Sequence, residues 1–167
     1  MDAQEYAKDF LEGVRSEAAA TGEGKCAVFV RNVAQQLVDA EVLPDFEGSF
    51  YTGTGRGNRK FRVDGYILDE FDMAMNLIIA DFDEDPDRIL AKTGISQCLT
   101  RLSYFAELAL NGSLHDVIEP STPCADLADI IHTYKDRIRK FKYHIFTDAS
   151  VSATIKTVET QTIGTIP

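Results

Sequence analysis

The chain has 167 residues and only three cysteines, Cys26, Cys98 and Cys124, far apart and set in apolar helical patterns. There is no CxxC pair and no Cys/His cluster. That excludes a zinc centre of the usual spacing and a disulfide framework, and leaves three buried free thiols. Long apolar runs are missing too, since none approaches the roughly 20 residues of a membrane-spanning helix. The opening residues, MDAQEYAKDFLEGV, lack the basic-then-apolar order of a secretion signal. The expectation is a cytoplasmic protein with no membrane partner. Basic charge is scarce: 17 Lys and Arg stand against 27 Asp and Glu, a net charge of −10. Proteins that live on nucleic acid gather cations to neutralise phosphates, so contact with DNA or RNA would need a local patch. The one dense basic run is YKDRIRKFKYH, residues 134–144. It reads either as such a patch or as the positive end of a helix followed by a solvated strand.

What is present is the balance of a globular domain, 44% hydrophobic and 26% charged, in a length that suits one domain with a sizeable core. Tyr6, Phe10, Leu11 and Val14 recur at helical spacing. A second apolar stripe, Cys26, Phe29, Val30, Val33, Leu37 and Val38, predicts another helix after the glycines of TGEGK. The glycine-rich GSFYTGTGRGNRKF reads as a loop or bulged hairpin. Its GTGRG fits no phosphate-binding fingerprint, because no helix follows. KFRVDGYIL alternates, MNLIIADF is almost continuously apolar, and the acidic DEFDMA lies between them. The pair predicts an antiparallel hairpin whose second strand is buried on both faces. Asp85 and Pro86 suit the cap and first position of a helix carrying Ile95, Cys98, Leu99, Leu102, Phe105, Ala106 and Ala109. Ser121 or Thr122, followed by Pro123, caps a further helix, and KFKYHIFTDA alternates as a strand. The Thr-, Val- and Ile-rich tail reads as strand or loop continuing into something larger. The fold class expected is α/β or α+β, a small mixed sheet covered by helices, in one domain spanning residues 1–167.

Asp64 and Asp81 stand inside apolar strand patterns, where a carboxylate must be solvated, paired or metal-bound. Arg56, Arg59 and Arg62 are the candidate partners of Asp64. Metal-dependent phosphodiester cleavage needs a few hard oxygen ligands for Mg²⁺ and a nearby cation. The order helix, strand hairpin, helix, strand resembles the restriction-endonuclease-like, or PD-(D/E)XK, core. That resemblance implies Glu23, Asp64 and Asp81 as metal ligands. The lysine of the motif is missing after Asp81, and Arg88 or Lys92, expected on the following helix, would supply the cation. The competing readings are a helix-start carboxylate for Glu23 and surface or paired charges for the two aspartates.

A narrower resemblance covers most of the chain. Asp64-Gly65-Tyr66, the strand 76–82 ending in Asp81-Phe82, and the turn 146–152 containing Thr147-Asp148 follow one another as in the abortive infection phage resistance family. The resemblance implies the N-terminal part of a longer bacterial anti-phage defence protein. Three functions stay open: a Mg²⁺-dependent nuclease domain acting on DNA or RNA; a catalytically inactive domain for sensing, assembly or homo-oligomerisation; and an acidic module that engages a basic protein partner.

Overall fold

The computed structural model describes residues 3–44, 47–54, 60–85, 87–116 and 122–151. Two helices open the chain, α1 (Ala3–Thr21) and α2 (Lys25–Asp39). The first ends where Gly22 takes a φ of +77°, and the Gly22 N–H bonds back to the Ala18 carbonyl. That left-handed position costs glycine little and other residues more. Strands β1 (Glu47–Thr54), β2 (Lys60–Asp69) and β3 (Ala74–Asp81) follow as an antiparallel meander. A short β4 (Ile89–Leu90) precedes α3 (Lys92–Leu110), a 3₁₀ turn (Ser113–Asp116) and α4 (Pro123–Tyr134). Strand β5 (Lys140–Thr147) then returns parallel to β3, and β6 (Ser150–Val151) pairs in parallel with β4. The four-stranded sheet has the order β1-β2-β3-β5. The fold is α+β with a small mixed sheet, as its alternation of helical and strand periods predicts.

Helices cover both faces of the sheet. Met75, Leu77 and Ile79 of β3 pack with Leu102, Phe105 and Leu127 of α3 and α4. The intervening Ile78 and Ala80 pack instead with Val14, Phe29 and Val30 of α1 and α2. Side chains alternate faces along a strand, so a central strand between two helical layers is apolar at nearly every position. Each fully buried Leu, Ile or Phe contributes roughly 1.5–3 kcal/mol of transfer free energy. At α4 the Thr122 Oγ1 accepts the Ala125 N–H, with Pro123 behind it, as the local sequence predicts.

Of the two readings of the glycine-rich stretch, the bulged hairpin holds over residues 47–54: β1 pairs with β2, with an irregularity in register between Gly48 and Tyr51. Two other readings change. Residues 55–59, which include Arg56 and Arg59, lie outside the described residues. The helix expected to start at Asp85-Pro86 starts at Lys92. The Asp85 N–H is taken by Asp148 and its carboxylate accepts the Asp87 N–H, so Asp85 closes a local turn instead of capping a helix. Ile89 and Leu90 are drawn into pairing with β6. Strict alternation also fails within β2. Phe61 and Val63 pack on the α3/α4 side, and so do Tyr66 and Leu68, while Ile67 faces α1 and α2. The strand slips one position at Asp64-Gly65, opposite the irregularity in β1.

Candidate functional site

The slip in β2 decides what Asp64 does. Pairing of β2 with β3 runs from Asp69↔Ala74 to Gly65↔Ile78. Beyond it, the Ala80 N–H is accepted by Asp64 Oδ2 at 2.7 Å. A side-chain carboxylate thus stands in for a strand carbonyl where the ladder ends. Arg62, two residues back, closes on the same carboxylate: Nε donates to Oδ2 at 3.0 Å and Nη2 to Oδ1 at 3.2 Å. The Arg62 Nη2 also reaches Cys26 Sγ of α2 at 3.5 Å. Asp64 is 3% exposed. Burial pushes its pKa up, opposed by the Arg62 charge and the Ala80 N–H. Desolvation disfavours the carboxylate, and the guanidinium recovers part of that cost.

Asp81 lies one strand position beyond Ala80. Its Oδ2 accepts Arg88 Nη1 at 2.8 Å and Thr147 Oγ1 at 2.8 Å. Arg88 Nη2 donates to Asp148 Oδ1 at 2.9 Å, and the Asp148 side chain is only 2% exposed. Asp148 is filled further by the backbone N–H groups of Asp83 and Asp85. One guanidinium therefore ties the end of β3 to the end of β5. The connecting loop is strained and over-determined. Glu84 takes a φ of +59°, and its carboxylate is held by Arg15 of α1 and Lys25 of α2. Such a backbone persists where surrounding contacts fix it. These bonds hold Glu84 below the ordinary glutamate range.

The three short motifs, Asp64-Gly65-Tyr66, Ala80-Asp81-Phe82 and Thr147-Asp148, thus meet at one end of the sheet through direct hydrogen bonds. The family model of the abortive infection phage resistance protein N-terminal domain matches residues 29–167. The chain belongs to that family. It is therefore a domain of a phage-defence protein. No curated protein and no solved structure matches the chain.

Beside the knot of this abortive-infection domain lies a cleft of about 260 Å³, lined among others by Arg62, Asp81, Asp83, Arg88, Gln97 and Arg101. Of the five residues singled out from the sequence, only Asp64, Asp81 and Arg88 gather at this end of the sheet. Glu23 sits before α2 and is bound by Arg31, which also holds Glu17. Lys92, the first residue of α3, is exposed and makes no ion pair among the described residues. Arg88 lies in the loop before β4 and not on the helix, a correction that follows from the later start of α3. The candidate Mg²⁺ ligands do not fit a metal as arranged. Asp64 is engaged by Arg62 and a backbone N–H, Asp81 by Arg88 and Thr147, and Glu23 by Arg31. Among the described residues no group of three or more His, Cys, Asp or Glu is placed to hold an ion. Asp148 was not singled out. Its signal was the Thr-Asp pair closing a strand, and its partners are 60 or more residues away.

Proposed function

We infer that this domain keeps a restriction-endonuclease-like core for sensing or assembly within a phage-defence protein, with arginines standing where that chemistry would place a metal ion. One observation carries the reading: both strand carboxylates are neutralised by guanidiniums of the same chain, Arg62 on Asp64 and Arg88 on Asp81. The sheet order, with β5 parallel to β3 after the intervening helices, supports the resemblance to that core. In this reading the domain is the N-terminal part of a longer cytoplasmic protein, and its partner is another protein or another copy. An Arg-paired carboxylate has its charge balanced and some of its lone pairs engaged, so metal binding would first have to loosen the pair.

The test is calorimetry of the intact chain with Mg²⁺ and Mn²⁺, followed by incubation with single- and double-stranded DNA and RNA. The expected result is no metal binding at millimolar concentration and no cleavage. Metal-dependent cleavage lost in Asp64→Ala would overturn the reading in favour of a nuclease using Asp64 and Asp81, with Arg88 or Lys92 as its cation. That second reading is favoured by the position of Asp81 on the wall of the cleft.

A further inference from the structure

The basic run 134–144 folds into the end of α4, a turn and the start of β5. Lys135, Arg137, Arg139, Lys140 and Lys142 are all exposed, with Asp136 the single acid among them. They make up five of the chain's 17 cations within eight residues. Among the described residues none of the five makes an ion pair, whereas Arg15, Lys25, Arg31, Arg62 and Arg88 all do. In a chain of net charge −10, partners for a cation are plentiful. A run of them left in solvent is therefore a local concentration of positive charge, offset in part by Asp136 and by Asp69, Glu70 and Asp72 of the neighbouring turn.

Placement sharpens the point. Strand β5 ends the sheet order, so among the described residues its outer edge carries no neighbour. Its first residue, Lys140, pairs with Ala74 at the start of β3, while Thr147 pairs with Asp81 at the acidic end. Seven residues separate those pairs, about 23 Å of strand. The basic strip therefore sits well away from the Asp81–Asp148 knot. Lys140 and Lys142 share one face of β5 about 6.6 Å apart, a spacing on the scale of successive phosphates in an extended strand. Two contacts anchor this segment: the Arg139 N–H bonds to the Met73 carbonyl, and the Arg137 guanidinium lies 5.5 Å over the Tyr134 ring.

The Met73 bond also fixes the β2–β3 turn beside the strip. That turn holds Phe71 at 97% exposure, with the Asp69 carboxylate accepting the N–H groups of Phe71 and Asp72. An aromatic face held in water beside a row of cations is the combination that binds unpaired bases together with their backbone. The acids around Phe71, Asp69, Glu70 and Asp72, repel phosphate from the turn itself, so only a neutral base suits that position. A duplex hides its base faces. We propose that the Lys135–Lys142 strip and Phe71 form a binding surface for single-stranded nucleic acid, with phosphates along β5 and a base on Phe71. The proposal is independent of whether the acidic end binds metal.

Fluorescence anisotropy of a labelled 20-nucleotide oligothymidine with the intact chain tests it, with a 20-base-pair duplex and polyglutamate as competitors. Binding is expected to weaken with added salt. Lys140→Gln/Lys142→Gln should reduce the slope of log K against log salt by about 1.4, two phosphate contacts at about 0.7 each. Phe71→Ala should weaken binding at least fivefold without changing that slope. Both sets of substitutions are on exposed side chains, and circular dichroism checks that they fold. Absence of salt-dependent binding, unchanged affinity in the double variant, or competition by duplex or polyglutamate as effective as by the unlabelled oligonucleotide would overturn the proposal.

Discussion

The two ends of the parallel β3–β5 pair treat their charges in opposite ways, pairing and burying them at one end and leaving a run of cations in solvent at the other. At the Asp81/Thr147 end, carboxylates outnumber cations, and two arginines are spent on them: Arg62 on Asp64, and Arg88 on Asp81 and Asp148. At the Ala74/Lys140 end, cations stand exposed without ion pairs among the described residues. Burial makes the difference. Asp64 and the Asp148 side chain are almost inaccessible to water, and an unpaired charge there would cost several kcal/mol. Lys140 and Lys142 remain hydrated and need no partner for stability. The acidic end is therefore structure first, and the basic end is surface available to a partner.

Breaking the acidic end should show the largest effect. Arg88→Ala strands two carboxylates, one of them nearly buried, and is expected to destabilise the chain by about 3 kcal/mol in urea denaturation. A loss below 1 kcal/mol would mean the knot does not hold β3 to β5.

Asp64 comes next. Asp64→Ala removes the acceptor of the Ala80 N–H and the partner of Arg62, and should cost about 2 kcal/mol. Asp64→Asn keeps an acceptor for that N–H and should cost less. The pH dependence of the pair has a definite sign. Burial raises the folded pKa of Asp64 above its ordinary aspartate value. The native state then binds more protons than the unfolded chain between those two values, and its stability falls as pH rises through that window. The isosteric asparagine has no such dependence. Urea midpoints at pH 4 and pH 7 should therefore move in favour of Asp64→Asn as pH rises, and movement the other way would show Arg62 dominating over burial.

The smallest effect is expected at the basic end. Lys140→Gln/Lys142→Gln should change stability by no more than about 0.5 kcal/mol in the same denaturation series. A larger loss would make these lysines structural and erase the contrast between the two ends.

Much of the scaffold was legible because periodicity reports burial directly. The apolar run of β3 announced a strand covered on both faces, the 3.6-residue stripes announced α1 to α3, and Thr122-Pro123 announced the start of α4. The candidate site was legible only in part. Asp64 and Asp81 stood out because carboxylates are out of place in apolar strands, and Arg62 was among the partners foreseen for Asp64. Arg88 reads as a cation on a helix and lies in the loop before β4, Glu23 reads either as a ligand or as a helix-start carboxylate, and Asp148 enters only within the Thr147-Asp148 turn.

By itself, then, the sequence determined the helical stripes, the doubly buried strand and the charge imbalance, all of which depend on neighbours a few residues apart. Only the tertiary structure decided that the glycine-rich stretch contains β1, that α3 waits until Lys92, and that Asp81, Arg88 and Asp148 share one set of hydrogen bonds. The physical reason is the β3–β5 register. Setting Asp81 opposite Thr147 brings together residues 60 or more positions apart, and an ion pair across that distance leaves no local pattern.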